Sequence, residues 1–253
     1  MRLDHYLMQE GLFESRHRAQ IEIKAERILV NGKIITKPSY MLKPTDEIEI
    51  LEPFNRYVSQ GGLKLEKALD VFKIDVTGTH VLDVGASTGG FTDCLLEHGA
   101  KHVVALDVGR NQLHEKLRQD PRVFSMEESH FLSLQKDDIT PVDLIVMDVS
   151  FISGIPLIHH AKELFNVAII WLIKPQFETI KTPKSGVIKS PKLHLEVLES
   201  VQKSLNQDGL YIQNITVSPV KGQKGNIEFL AYINRNKTWI SAQDIVKQAH
   251  HNT

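Results

Sequence analysis

The chain has 253 residues, a formal net charge of −1, and 42% hydrophobic and 24% charged residues. This composition is ordinary for a globular protein, and the length fits one large domain or a small domain plus a medium one. The near-zero charge excludes a polycation, so any nucleic-acid site has to come from local clusters of basic residues. The apolar run 167–173 is far shorter than the roughly 20 residues that cross a bilayer, and no signal-peptide pattern is present. Cys94 is the single cysteine, so no intrachain disulfide can form. The cysteine count and the short apolar runs together lead us to expect a cytoplasmic protein without stable membrane insertion.

The first part of the chain, residues 1–52, is predicted to be a small α+β domain. Apolar spacing indicates one helix from Leu3 and a second helix over 17–24. Asn31-Gly32 stands between two short apolar runs, which predicts a hairpin because both turn positions require positive φ. A short strand is expected over 47–50. A domain of about fifty residues has only a marginal core, and it is therefore expected to assist a larger domain.

Strand and helix patterns alternate through residues 61–253, beyond a linker at 53–60. A helix beginning at Gly62 comes first. Seven strands are then expected, at 81–84, 102–107, 123–125, 144–147, 167–172, 210–215 and 227–233. Helices centred near residues 94, 115, 158 and 198 separate them. This alternation predicts an α/β fold with a mostly parallel seven-stranded sheet and helices on both faces. Only a loop joins the last two strands, so the final strand is expected to be antiparallel.

The segment 83–91, Asp-Val-Gly-Ala-Ser-Thr-Gly-Gly-Phe, is the strongest signal for a cofactor site. An apolar strand runs into a small-residue turn that opens a helix, where glycine permits close backbone approach and free N–H groups favour anions. Asp107 ends the next strand, 107 − 85 = 22 residues after Gly85, where a carboxylate can bind ribose hydroxyls. Taken alone, the turn fits either a nucleotide-type ligand or plain turn chemistry, and Asp107 fits either a ligand contact or a solvated strand end.

The spacing of the glycines separates two cofactor classes. G-x-x-x-G-G is not the dinucleotide pattern G-x-G-x-x-G, so S-adenosylmethionine is favoured over NAD. The predicted cofactor-binding residues are Asp83, Gly85, Ala86, Ser87, Thr88, Gly89, Gly90, Phe91, Asp107 and Asp148.

Three polar residues are expected at the carboxyl edge of the sheet, where open α/β sheets bind ligands. Asp148 follows one strand, Lys174 follows the apolar run 167–173, and Glu228 starts the reversed last strand. Each alone could simply solvate a strand end, but three together beside a cofactor turn favour a catalytic site. Methyl transfer to a hydroxyl requires deprotonation during attack, and a lysine can act as base when a neighbouring cation and partial burial favour its neutral form.

Other candidates receive more ordinary interpretations. The histidines lack ligand spacing with acids or cysteines, so no metal is expected. Cys94 is expected to pack in the fold rather than to act as a nucleophile. Phe151 could stack on a base or pack against the protein.

At these residues the sequence resembles the TlyA family of ribosomal RNA 2′-O-methyltransferases, whose catalytic domain is similar to FtsJ and some of whose members carry the name hemolysin A. The resemblance covers nearly the whole chain and is carried by the segments 57–65, 83–92, 148–153, 174–178 and 225–228. It implies a Rossmann-like methyltransferase domain, S-adenosylmethionine as methyl donor, and a catalytic set made of Lys64, Asp148, Lys174 and Glu228. Lys174 would be the base and Lys64 the neighbouring cation, a choice that the residues alone leave open between Lys64 and Lys67.

The first part resembles the small RNA-binding domain shared by a small-subunit ribosomal protein and pseudouridine synthases. The matching residues are Arg2-Leu3-Asp4, Ser15-Arg16, Arg18-Ala19 and Val30-Asn31-Gly32. The chain departs from the usual pattern at Glu26, where glycine is common at the helix end. It also departs at His130, where relatives often have Asn or Asp near the adenine, so no adenine contact is assigned to His130.

Two groups of basic residues are expected to contact RNA phosphates. The first lies in the small domain and comprises Arg2, Arg16, Arg18, Lys24 and Arg27. The second lies in the loop that follows Lys174 and comprises Lys181, Lys184 and Lys189. The alternatives are a mixed, solvated surface for the first group, which is interspersed with acids, and a solvated loop for the second.

These features predict a methyltransferase that acts on a ribose 2′-hydroxyl, of cytidine by resemblance, in ribosomal RNA within ribosomal subunits. A membrane-lytic hemolysin is disfavoured because no long apolar segment or basic amphipathic helix is evident. A non-catalytic RNA-binding assembly factor is disfavoured because all four residues of the catalytic set are present. The sequence leaves the oligomeric state open.

Overall fold

The computed structural model describes residues 1–13, 15–24, 27–50, 56–139, 141–222 and 224–251, without the side chains of Arg18 and Ile21. The chain divides into two compact units, Met1–Arg56 and Tyr57–Thr253. The predicted linker at 53–60 spans this division. Glu26, at which the small domain departs from its usual pattern, lies outside the described residues.

The first unit packs two helices against a small antiparallel sheet of order β2-β1-β3. Its elements are α1 (Leu3–Gln9), α2 (Arg16–Lys24), β1 (Ile28–Val30), β2 (Lys33–Ile34) and β3 (Ile48–Ile50). The predicted hairpin is confirmed, since Asn31 and Gly32 have φ values of 52° and 72°. The core consists of Leu3, Leu7, Ala19, Ile23, Ile28 and Val30.

The second unit is an α/β domain. It begins with α3 (Gly61–Phe72), β4 (His80–Val84), α4 (Gly90–Glu97), β5 (His102–Leu106), α5 (Glu115–Arg118) and β6 (Val123–Met126). It continues with β7 (Leu144–Met147), α6 (Ile155–Leu164), β8 (Ala168–Ile173), α7 (Pro191–Gln207), β9 (Tyr211–Val217), β10 (Phe229–Asn234) and α8 (Ala242–His251).

The seven strands of the second unit form one sheet of order β6-β5-β4-β7-β8-β10-β9. Strands β4 to β8 pair in parallel, whereas β10 lies between β8 and β9 and is antiparallel to both. The prediction of a mostly parallel sheet with a reversed last strand is therefore confirmed. The carboxyl ends of β4, β5, β7 and β8 and the start of β10 consequently share one edge.

Side chains alternate between the two faces of this sheet, as the pleat requires. Val81, Val103 and Val146 belong to the core cluster beneath α3 and α4. Leu82, Val104 and Ile145 belong to the cluster covered by α6, α7 and α8. Strands buried on both faces are continuously apolar, which is why β7 reads Leu-Ile-Val-Met without a polar residue.

The helix α8 is an element that the sequence analysis did not predict. Only Ala242, Val246 and Ala249 of this helix are fully buried, and they pack into the core cluster that also contains residues of α7 and β9. Two of these residues are alanines, so few large apolar side chains mark the buried face in the sequence, although the helix is amphipathic.

Candidate functional site

A strained glycine turn connects β4 to α4. Gly85, Ser87 and Gly89 all have positive φ, at 83°, 50° and 93°. A Cβ on Gly85 would lie 2.8 Å from the carbonyl oxygen of Asp148, and one on Gly89 would lie 2.2 Å from Leu117. Both positions therefore need glycine for space as well as for backbone conformation. The side chains of Ser87 and Thr88, between the two glycines, are exposed at the surface of this turn, whereas Phe91 is buried in the core.

Glycines also join the start of α3 to the start of α4. A Cβ on Gly90 would lie 2.2 Å from Ser59 Oγ and 2.9 Å from the backbone nitrogen of Gly62. The two helix starts approach this closely only because neither carries a side chain at the contact. This contact brings the first turn of α3, which carries Lys64, beside the glycine turn.

Asp107 fixes the glycine turn from the neighbouring strand. Its carboxylate accepts a hydrogen bond from the backbone N–H of Ser87 at 2.8 Å and another from that of Gly109 at 2.7 Å. The carboxylate thus occupies an N–H group of the turn that a phosphate would otherwise use. Free lone pairs on the same carboxylate leave it able to accept hydrogen bonds from a ligand.

Asp83 is fully buried at the end of β4, beneath the turn. One carboxylate oxygen accepts a hydrogen bond from Thr92 Oγ1 at 2.7 Å. The other, Oδ1, is buried and has no hydrogen-bond partner within the described part of the chain. Burial, together with the nearby carboxylates of Asp148 and Asp107, raises the pKa of Asp83 to about 7.

Two buried ion pairs lie at the carboxyl edge of the sheet. Lys64 Nζ lies 2.6 Å from Glu228 Oε2, and Lys174 Nζ lies 2.6 Å from Asp148 Oδ1. Lys174 also donates a hydrogen bond to Ser150 Oγ at 2.6 Å. Each of the four charged side chains is at most 22% exposed.

The strand registers bring these two ion pairs to neighbouring positions. Phe229 of β10 is paired with Ile173 of β8, so Glu228 and Lys174 continue that register just beyond the strand ends. Asp148 donates its backbone N–H to the carbonyl oxygen of Val84 at 3.1 Å, which places it beside the glycine turn. The four residues that the sequence analysis selected therefore come together at one edge.

The loop after Asp148 presents an exposed aromatic ring. Phe151 has a φ of 70°, an unusual conformation for a bulky residue, and is 88% exposed. Its ring centroid lies 5.6 Å from that of Phe177. Because so little of Phe151 is buried, packing within this chain does not account for its position.

Glu178 holds this loop in place from the segment that follows β8. Its carboxylate accepts hydrogen bonds from Ser153 Oγ at 2.6 Å and from the Gly154 N–H at 2.8 Å. Burial raises the pKa of Glu178, although both hydrogen bonds oppose the shift. Neither Glu178 nor Ser150 has a role that the sequence predicts, since their contacts depend on how two loops meet.

Three of the five basic residues that are predicted to contact RNA in the first unit, Arg2, Arg16 and Arg27, are paired with acids. Asp4 is fully buried and accepts hydrogen bonds from Arg2 and Arg16, both at 3.0 Å, and from Gln20 at 2.8 Å. These contacts hold the pKa of Asp4 well below its usual range. Arg27 pairs with Glu22, Lys24 is exposed, and Arg18 has no described side chain. About half of each of the Arg2 and Arg16 side chains remains accessible, at 44% and 47%.

The predicted RNA-binding lysines of the second unit all lie at its surface. Lys181 pairs with Glu196 at 2.7 Å, and Lys184 and Lys189 are exposed.

The structure also shows the surroundings of Cys94 and His130, two residues that were considered from the sequence. Cys94 is buried in the core, as expected. The ring of His130 accepts the Leu132 N–H at 3.3 Å and so caps a short turn.

Comparisons with known proteins agree with this architecture. The profile of the family described as FtsJ-like methyltransferase matches residues 57–235, and that of the S4 domain matches residues 1–48. Hemolysin A of Brachyspira hyodysenteriae is 47% identical over 242 residues, which are 92% of this chain and 99% of that protein. The 16S/23S rRNA (cytidine-2′-O)-methyltransferase TlyA of Mycobacterium tuberculosis is 37% identical over 92% of this chain and 89% of its own length. A solved structure from Streptococcus thermophilus that bears the hemolysin name matches with a TM-score of 0.79 and 38% identity, over 99% of this chain and 96% of that one.

Fold and relatives together define the class of protein, a Rossmann-like methyltransferase with an N-terminal S4 domain. The chain belongs to the FtsJ-like methyltransferase family, and its similarity to TlyA proteins confirms the resemblance seen in the sequence.

Proposed function

We propose that this chain transfers a methyl group from S-adenosylmethionine to a ribose 2′-hydroxyl of ribosomal RNA, with cytidine as the modified nucleoside. The observation that carries the proposal is the pair of Lys–carboxylate contacts beside the glycine turn, Lys64 with Glu228 and Lys174 with Asp148. The TlyA relative from Mycobacterium tuberculosis, which bears a cytidine-2′-O-methyltransferase name, supports the choice of substrate.

The charges around the turn fit S-adenosylmethionine better than a dinucleotide. Asp83, Asp107 and Asp148 are close enough for the last two to raise the pKa of the first. The carboxylates of Asp107 and Asp148 favour a ligand with a sulfonium and an ammonium group and oppose a pyrophosphate. The unpartnered Oδ1 of Asp83 is a buried acceptor that a cationic ligand or its water shell can satisfy. The bound cofactor supplies an activated methyl group. Asp107 would hold its ribose, and the backbone of residues 85–90 would line its amino-acid end.

Lys174 is positioned to act as the base. It removes the proton from the 2′-hydroxyl as the oxygen attacks the methyl group, and the resulting ammonium is paired with Asp148. Ser150, at 2.6 Å, orients the Lys174 amine by a second contact. Lys64, balanced by Glu228, adds a second amine at the same edge of the sheet. Alignment of the hydroxyl with the methyl donor supplies much of the remaining rate enhancement.

Two alternative functions, membrane lysis and non-catalytic ribosome assembly, would require different structural features. A membrane-lytic activity is suggested by the hemolysin name of a relative. No helix within the described ranges is long and apolar enough to cross a membrane. A non-catalytic assembly factor would have no use for two buried lysines paired with acids. Dye leakage from liposomes and calorimetric titration with S-adenosylmethionine separate these functions from methyl transfer.

The decisive experiment measures transfer of labelled methyl groups onto separated, unmodified ribosomal subunits, followed by mapping of the modified ribose. Lys174→Ala is expected to reduce the rate by about 100-fold to 10,000-fold, the usual contribution of a general base. Lys174→Arg is the matched control, because it keeps the positive charge beside Asp148 but cannot give up a proton. It should be equally inactive, and an active Lys174→Arg enzyme would show that Lys174 is not the base.

A further inference from the structure

A buried asparagine connects two surface loops beside Glu228. The Asn226 side chain is 3% exposed. Its carbonyl oxygen accepts the Ile188 N–H at 2.9 Å, and its amide nitrogen donates to the Gly186 carbonyl at 2.8 Å. The carboxamide therefore bonds through both of its ends to a segment about forty positions earlier in the chain.

The segment that Asn226 holds is the lysine loop, defined here as residues 181–189. The backbone around Asn226 is itself tightly turned, because Gly222 donates its N–H to the Asn226 carbonyl at 2.9 Å. A Cβ on Gly222 would lie 2.4 Å from Glu228 Oε1, so this turn packs directly on the carboxylate that is paired with Lys64. Asn226 thus fixes the lysine loop to the edge of the catalytic site.

Positive charge accumulates where the two loops meet. A Cβ on Gly186 would lie 3.4 Å from Lys224 Nζ, so the Lys224 ammonium group lies against the lysine loop. Of the lysines on these loops, four have no carboxylate within 4 Å among the described residues: Lys184, Lys189, Lys221 and Lys224. Exposed ammonium groups that repel one another and lack acidic partners are the expected composition of a surface that binds a polyanion.

We propose that Asn226 is a positioning residue that holds the lysine loop against the Lys224 ammonium group, so that both loops bind the RNA phosphates flanking the target ribose. The inference rests on the proposed function and extends it. It adds Lys224 to the predicted RNA contacts and gives the buried amide a role in substrate affinity. The methyl donor and the Lys174 base do not depend on it.

Two substitutions test this role in the full-length protein. Asn226→Ser removes both loop contacts with a small polar side chain, and Lys224→Ala removes the charge alone. Lys203→Ala, an exposed lysine on α7, is the matched control. Each variant is examined by limited trypsin digestion, by S-adenosylmethionine titration, and by kcat and KM for methyl transfer to unmodified ribosomal subunits.

Asn226→Ser is expected to speed trypsin cleavage after Lys181, Lys184 or Lys189 on the order of tenfold, because two buried hydrogen bonds are lost. It should also raise KM for the subunits about fivefold or more while kcat and cofactor affinity change by less than about twofold. Lys224→Ala should raise KM and leave the digestion pattern unchanged. The slope of the logarithm of subunit affinity against the logarithm of salt concentration should become less steep by about one unit, the value for one lost phosphate contact.

If Asn226→Ser is digested at the wild-type rate, Asn226 does not hold the lysine loop. If digestion is faster but KM for the subunits is unchanged, the position of the lysine loop does not affect RNA binding. A fall in kcat alone would assign Asn226 to the catalytic pair instead. If the wild-type protein methylates neither subunit, the proposed function fails. The digestion result then still shows whether Asn226 holds the lysine loop in place.

Discussion

Lys64 and Glu228 form an ion pair of 2.6 Å although 164 positions separate them in the chain. The first lies on the helix that precedes the sheet, and the second lies just before the strand that enters the sheet last in sequence order. Both side chains are nearly inaccessible to solvent, at 11% and 3% exposure. A buried pair of this kind is costly to break from one side, because the remaining charge loses its partner.

Lys64→Ala is therefore expected to lower the rate of methyl transfer about 100-fold through misplacement of the site. The free energy of unfolding should fall by about 3–5 kcal/mol, because Glu228 is left buried and unpaired. Lys67→Ala is the matched control, since Lys67 lies on the same helix but is exposed. It should retain both activity and stability. Chemical denaturation and methyl-transfer assays measure the two effects, and equal losses in both variants would contradict the assignment of Lys64.

The double variant Lys64→Met with Glu228→Gln separates folding from catalysis. Removing both charges leaves no unpaired buried ion, so most of the stability should return. Methyl transfer should remain lost, because the positive charge beside the base is absent. Recovery of activity in the double variant would mean that the pair serves the fold alone.

Gly85→Ala is expected to disrupt the cofactor turn. The new methyl group would lie 2.8 Å from the carbonyl oxygen of Asp148 at a φ of 83°. Gly78→Ala is a matched control, because Gly78 also has a positive φ, 73°, but a Cβ there would have nothing within 4 Å. Gly78→Ala should cost about 1–2 kcal/mol of stability from backbone strain alone and should keep cofactor affinity. Gly85→Ala should cost more and should abolish measurable binding of S-adenosylmethionine by calorimetry.

The raised pKa of Asp83 is expected to make the stability of the protein depend on pH. Its pKa is about 7 in the folded protein, against roughly 3.9 in an unfolded chain. Between these values the folded state holds a proton that the unfolded state releases, so the stability contributed by Asp83 is lost as the pH rises from about 4 to 7. Asp83→Asn removes this dependence. Its unfolding free energy relative to wild type should increase by about 2.5 kcal/mol between pH 5 and pH 8.

Urea denaturation of the cofactor-free proteins at both pH values measures this difference. Asp70→Asn, which removes an exposed carboxylate from α3, controls for a general change in surface charge. The assignment of a buried, protonated Asp83 is wrong if the difference between variant and wild type is the same at pH 5 and pH 8.

Phe151 is expected to stack on a base of the RNA. Because the ring is 88% exposed, Phe151→Ala should change the free energy of unfolding by less than about 0.5 kcal/mol. Loss of a stacked base should lower kcat/KM by about 5-fold to 150-fold, which corresponds to roughly 1–3 kcal/mol. Phe124→Ala removes another exposed aromatic ring, from the edge strand β6, and should leave kcat/KM unchanged. A stable Phe151→Ala protein with wild-type kcat/KM would exclude stacking.

Much of this architecture is predictable because it follows from local patterns and one topological rule. The apolar runs define the strands, and parallel strands end at a common edge, so Asp148 and Lys174 could be placed near the glycine turn before any coordinates. The reversal of the last strand added Glu228 to the same edge.

The contacts within the site could not be predicted in the same way. Nothing in the local pattern shows that Lys64 pairs with Glu228 while Lys174 pairs with Asp148, because this depends on side-chain direction at the meeting of α3, β7, β8 and β10. The contacts of Ser150 and Glu178 likewise arise between separate loops. The burial of Asp83 without a partner for Oδ1 is likewise a property of the packed site.

The position of β10 between β8 and β9 also affects how the chain matures. A strand flanked on both sides completes the sheet only after its two neighbours have been synthesised, and Glu228 arrives with it. A nascent chain that still lacks residue 228 therefore has no carboxylate at this position to pair with Lys64.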